Sequence, residues 1–257
     1  KLYQKIKKPL TSQEVMRLID VLYNGEKYYE GRELSEYKRK KQRDIAIFIA
    51  YLGTGVRVSE LVNLNISDIC FDTSSFIVTR KGGDQQEIFM PVQVENELCM
   101  YLEERLKEED AKDEKALFLS RQGKRMSVSS VEKMLKKYCR TVGIDDPDKS
   151  RPHALRRTFA CRLLEDGVDI KMVAELMGHK NIDVTHRFYA QYNDRARKDF
   201  LRDVVNEHKS SELYKTAVIA EAYDRQENPT IVQYKRMITN MLGQQVEDLW
   251  HANYRLS

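Results

Sequence analysis

Six side chains suited to phosphate-diester chemistry are spread along the chain. Arg57 follows Gly53-Thr54-Gly55-Val56, Lys81 opens a Lys-Gly-Gly-Asp run, His153 and Arg156 stand three apart, His179 follows Met177-Gly178, and Tyr189 comes ten residues later. Two arginines can hold the non-bridging oxygens of one phosphate through forked donors and stabilise the charge that grows as phosphorus becomes five-coordinate. Tyr189 is a candidate nucleophile, but a phenol has an ordinary pKa of about 10 and needs a base or nearby cations, for which the histidines are suited. Lys81 can protonate the departing 5′ oxygen as general acid. With arginines supplying the positive charge, such a site calls for no metal and no cofactor.

Each residue alone also has a plainer use. An arginine at a helix start is commonly a surface group, Lys-Gly-Gly makes a hairpin turn, and a histidine after glycine can end a helix. Tyr189 is one of 14 tyrosines, with Phe188 and Tyr192 close by. Joint occurrence in this order is what carries the chemical reading.

These residues must be positioned by a mostly helical chain. Thr11-Ser12-Gln13-Glu14 is a helix-start signal, and Val15, Leu18, Ile19 and Leu22 continue at helical spacing to about Tyr23. A second, longer helix is expected from about Glu36 to the Gly53-Thr54-Gly55 turn, and a third over Val58 to Leu64. The period then changes: Phe76 to Thr79 and Glu87 to Met90 read as a β-hairpin with a flexible tip at Lys81-Gly82-Gly83-Asp84. Helical patterns return at Val94–Leu106, Val128–Tyr138, His153–Leu164 and Ile170–Met177. Further helices are expected at about Ile182–Tyr189, Arg195–Val205, Glu212–Asp224 and Thr230–Trp250. The spacing puts His153 and Arg156 on one helix face. The fold class is α+β, helices around a small antiparallel sheet.

Composition bounds the reading. The 257 residues are 41% hydrophobic and 33% charged, enough for a packed core beneath a highly charged surface. No apolar run approaches the roughly 18 residues of a membrane span, so no membrane partner is expected, and the setting is cytoplasmic. Cys70, Cys99, Cys139 and Cys161 lie far apart without zinc spacing, and neither a Gly-rich phosphate loop nor a His-x-x-x-His pair occurs. The net charge is only +4, but ten Lys/Arg stand against four Asp/Glu between Lys124 and Ala160, and Lys38-Arg39-Lys40-Lys41-Gln42-Arg43 forms a second basic run. Such concentrations suit a polyanion-facing surface.

The segments Gly53-Thr54-Gly55-Val56-Arg57-Val58-Ser59-Glu60-Leu61, Pro152-His153-Ala154-Leu155-Arg156-Arg157-Thr158-Phe159-Ala160 and Leu176-Met177-Gly178-His179-Lys180 resemble the signature boxes of the tyrosine recombinase (phage integrase) family. The resemblance runs from about Leu10 to Tyr192. It implies that Arg57 and Arg156 bind the phosphate, Lys81 is the hairpin acid, and His153 and His179 assist proton transfer. It also implies that Tyr189 forms a 3′-phosphotyrosyl bond, frees a 5′ hydroxyl and stores the bond energy for rejoining without ATP. Family members place the tyrosine nine or ten residues after the second histidine; nine falls on Phe188, which cannot attack, and ten on Tyr189, with Tyr192 in reserve. Gln191 stands where many relatives have a histidine.

By this resemblance, residues 1–10 form an interdomain linker, 11–207 the catalytic domain and 208–257 a helical C-terminal extension that docks on a neighbouring subunit or folds back. An N-terminal core-binding domain would lie outside the chain. Expected partners are a double-stranded DNA recombination site, a homotetramer on that DNA and accessory DNA-bending proteins, in a bacterial or phage nucleoid. The leading role is integrase or transposase of a mobile element, favoured by the 68 residues (257 minus 189) after Tyr189. Alternatives are a type IB topoisomerase-like enzyme, a telomere-resolving enzyme, a chromosome-dimer resolving recombinase, or a DNA-binding protein that no longer reacts.

Overall fold

The computed structural model describes residues 8–80 and 82–178. Lys81, His179, Tyr189, Tyr192, the helices expected beyond 178 and the C-terminal extension lie outside these residues.

Helix α1 spans Ser12–Tyr23 and opens with a capping box: Thr11 Oγ1 accepts from the Glu14 backbone, and the Glu14 carboxylate accepts from the Thr11 backbone. Val15, Leu18, Ile19 and Leu22 face inward as their spacing requires. Helix α2 covers Gly31–Thr54, starting five residues before the sequence expectation. Its first half is mostly polar, whereas Ile45–Leu52 are all at most 1% exposed, so its second half is the central rod of the domain. Helices α1, α4 (Val92–Arg105) and α6 (Pro152–Glu165) pack against it. Burying each such Ile, Leu or Phe contributes about 1.5–3 kcal/mol.

After the Gly55 turn comes α3, Val58–Asn63, then three antiparallel strands in the order β1 (Ile69–Cys70), β2 (Ser75–Thr79), β3 (Gln85–Phe89). The expected hairpin is β2–β3, with Phe76 opposite Ile88 and Val78 opposite Gln86. Strand β1 was not anticipated, because two residues are too few to show alternation. Helices α5 (Val128–Thr141) and α7 (Ile170–Leu176) complete the described fold. Among the described residues no helix is long and apolar enough to cross a membrane.

The entry segment is tied to α6. The Leu10 backbone N–H donates to Thr158 Oγ1 at 2.9 Å, and Lys149 pairs with Glu14 at 2.6 Å, linking the α1 cap to the loop before α6. Both contacts tie the start of α1 to α6 and the loop that leads into it.

Candidate active site

Gly55 ends α2 in the left-handed region, with φ of 60°, and turns the chain directly into Arg57, which stands as the residue before α3. The turn is packed too closely for any side chain: a Cβ at Gly55 would lie 2.2 Å from the Phe159 ring of α6. One turn before Phe159 on α6, Arg156 is 5% exposed. Its guanidinium donates to the carbonyls of Gly55 and Met177. Arg57 in turn donates through Nη2 to the Gly178 carbonyl at 2.9 Å. Two arginines that are far apart in sequence therefore bind the ends of α2 and α7 together, and the three signature segments converge.

Glu60 lies one turn after Arg57. Its carboxylate accepts from Arg57 Nη1 at 2.8 Å and from the Arg57 backbone at 2.9 Å. A third guanidinium, Arg80, donates from Nη1 to both Glu60 oxygens at 2.9 and 2.8 Å. Burial opposes the charge on Glu60, but the hydrogen bonds from Arg57 and Arg80 outweigh it and hold the carboxyl below its ordinary pKa. For Arg156, burial and then the neighbouring Arg57 push the pKa down to about 9. The group is charged at neutral pH at an electrostatic cost that a bound anion would relieve.

Among the described residues, the cluster thus holds three guanidiniums and one carboxylate, which pairs with Arg57 and Arg80, leaving an excess of two positive charges in a largely desolvated setting. Arg57 keeps about a third of its side chain exposed, so the cluster opens to solvent there. Such an arrangement is suited to a phosphate, whose oxygens accept forked donors. His153 is exposed in the first turn of α6, three residues before Arg156. Tyr51, by contrast, is 1% exposed and burial raises its pKa well above 10, which removes it as a nucleophile. No group of three or more metal-ligating side chains occurs among the described residues.

Of the six predicted site residues, the structure brings Arg57 and Arg156 into one cluster and places His153 on the same helix as Arg156. Lys81, His179 and Tyr189 lie outside the described residues. Glu60 and Arg80 carried no role in the sequence reading, although signals existed. Glu60 stands in the first turn of α3, three residues after Arg57 at its N-cap, and Arg80 extends the inward positions Phe76 and Val78 of β2, where a cation is conspicuous.

Two clefts outside the cluster are lined by basic residues. Exposed Lys133, Lys136 and Arg140 of α5 line a cleft of about 600 Å³ with Arg151 at the start of α6, against Glu132 and Asp145. A second cleft, between α2 and α5, is lined by Lys40, Arg43, Lys124, Arg125, Lys133 and Lys137, together with Glu36 and Asp44. The two basic runs seen in the sequence thus meet along α5.

The family model described as the phage integrase family matches residues 8–196. Tyrosine recombinase XerC of Caldanaerobacter subterraneus is 38% identical over 178 residues, covering 67% of this chain and 46% of that protein. Tyrosine recombinase XerA of Pyrococcus furiosus is 35% identical over 190 residues, covering 72% of this chain and 58% of that protein. The chain therefore spans about half the length of these relatives. Among solved structures, XerA recombinase aligns with a TM-score of 0.61 at 30% identity, over 81% of this chain and 67% of that one. The Tn1549 transposon integrase in complex with transposon right-end DNA aligns with a TM-score of 0.57 at 26% identity, over 78% and 67%.

Proposed function

Because the chain belongs to the phage integrase family, we propose that it forms the catalytic part of a site-specific DNA recombinase that cuts and rejoins strands through a 3′-phosphotyrosyl intermediate. The observation that carries this reading is the convergence of Arg57 and Arg156 in one positively charged cluster. In the proposed reaction both guanidiniums bind the non-bridging oxygens of the scissile phosphate and stabilise the charge of the five-coordinate phosphorus. The phenolic oxygen of Tyr189 attacks phosphorus while His153 or His179 takes its proton. The bond from phosphorus to the 5′ oxygen breaks with its electron pair on that oxygen, which Lys81 protonates. Rejoining reverses these steps with a 5′ hydroxyl as nucleophile.

The basic clefts along α5 are the proposed phosphate-backbone contacts that hold duplex DNA over the cluster. The proposed domain division is a linker over 1–10, a catalytic domain over 11–207 and an extension over 208–257; the proposed assembly is a homotetramer on DNA with accessory bending proteins. The role proposed first is integrase or transposase of a mobile element, supported by the likeness to the Tn1549 transposon integrase. A second reading, a chromosome-dimer resolving recombinase, is favoured by the higher identity to XerC and XerA.

The test is incubation with duplexes carrying a nick beside the cleavage position, followed by denaturing electrophoresis. A DNA-linked protein band supports the reaction class; intact DNA binding without any such band, on sites that exchange strands in the cell, contradicts it. Recombination of two element ends against resolution of two directly repeated identical sites then separates the two roles.

A further inference from the structure

Arg80 is 8% exposed and directly follows β2, continuing its inward face. Besides its two bonds to Glu60, its Nε donates to Gln86 Oε1 of β3 at 2.7 Å, which fixes the plane of the guanidinium. The plane lies against Gly178, where a Cβ would come within 2.6 Å of Arg80 Cζ, and Nη2 is buried without a partner among the described residues. Glu60 is therefore not the private counter-ion of Arg57. It is one buried carboxylate shared by two guanidiniums, while Arg156 is held by carbonyl oxygens.

This sharing has an electrostatic consequence. A carboxylate paired only with Arg57 would aim that side chain but cancel the charge with which it meets a phosphate. With Arg80 also bound, the same carboxylate aims Arg57 while the cluster keeps an excess of two positive charges; without Arg80 the excess falls to one. We propose that Arg80 is a positioning residue for strand cleavage, acting through Glu60 so that Arg57 is oriented without being neutralised. The inference rests on the reaction proposed above. Gln86 and Gly178 are its supports, the first by holding the guanidinium plane and the second by leaving room for it.

The test is the single-turnover rate of covalent adduct formation at saturating DNA, in the full chain, for Arg80→Met, Arg80→Lys and the double variant Arg80→Met/Glu60→Gln, with melting curves for each. Arg80→Met is expected to slow the step about a hundredfold, close to the loss of a direct transition-state donor. Arg80→Lys keeps the charge and is expected to remain within about tenfold of the parent. The discriminating result is the double variant, which removes the carboxylate left to neutralise Arg57 and should cleave about tenfold faster than Arg80→Met alone. A folded double variant no faster than folded Arg80→Met, or Arg80→Met as fast as the parent, overturns the proposal. Should Arg80→Met not fold, the double variant also removes the buried Glu60 carboxylate that Arg80→Met leaves short of a partner, and cleavage by it more than about a hundredfold below the parent overturns the proposal instead. Absence of an adduct with the parent chain would contradict the proposed reaction, not the role of Arg80 within it.

Discussion

Arg57 donates to the carbonyl of Gly178 at 2.9 Å, joining two segments separated by 121 positions. The same guanidinium pairs with Glu60, so one side chain both closes the site and faces solvent with its remaining surface. That double duty makes the cluster sensitive to changes that keep charge but lose shape.

Arg156→Lys is such a change. A lysine ammonium cannot reproduce a planar fork that reaches the Gly55 and Met177 carbonyls together. Cleavage is expected to fall about 10²–10³-fold, the usual cost of losing one preorganised donor, with smaller loss of DNA affinity. Single-turnover adduct formation alongside gel-shift titration checks this.

Gly55→Ala should destabilise the domain by about 1–3 kcal/mol, since its Cβ would overlap the Phe159 ring and its φ of 60° disfavours a side chain. Thermal melting measures the loss. Gly55→Ala with Phe159→Leu should recover part of it if the ring is the obstacle.

Thr158→Val keeps the volume of a side chain that is 1% exposed but leaves the Leu10 N–H without its acceptor. A cost of about 1–3 kcal/mol is expected for a buried unsatisfied donor. Proteolysis near residue 10 should rise in parallel, since this bond ties the entry segment to α6.

Glu60 gives the domain an acid limb. Its folded-state pKa is held below the ordinary value of 4.5 because the hydrogen bonds from Arg57 and Arg80 outweigh burial. The stability it contributes is therefore present above 4.5 and is lost as pH falls through the lower folded-state value. Melting temperatures of the parent and Glu60→Gln, measured from pH 7 to 3, should differ by a constant amount near neutrality and converge in acid.

Lys136→Ala on α5 should weaken binding to all duplexes alike and lower the slope of log K against log salt by about 0.9 if Lys136 neutralises one phosphate. Fluorescence anisotropy at several salt concentrations reads both quantities. A change confined to one sequence would instead mark a base contact.

Local chemistry was legible where it involves side chains at fixed spacing. Thr11 and Glu14 announced the start of α1, and Val58 to Leu64 announced α3 to within a residue. Helix α2 starts five residues before its apolar period predicts, because Arg32, Glu33, Ser35 and Glu36 carry little apolar period. The candidate site is legible as a set of residue types, of which Arg57 and Arg156 converge while Lys81, His179 and Tyr189 lie outside the described residues. The partners of Arg57 and Arg156 are not legible, because Gly55, Met177 and Gly178 contribute carbonyl oxygens that every residue possesses. Arg80 belongs to no motif of its own and stands beside the more conspicuous Lys81; only the inward alternation of Phe76 and Val78 in β2 points to it.

The most direct test of the central claim is to trap the protein on a nicked recombination site, digest the complex and identify the DNA-linked peptide, with Tyr189→Phe in parallel. The proposed mechanism requires the link at Tyr189 and loss of the denaturation-resistant complex in Tyr189→Phe with DNA binding retained. A link at another residue, or a complex that persists in Tyr189→Phe, would contradict it.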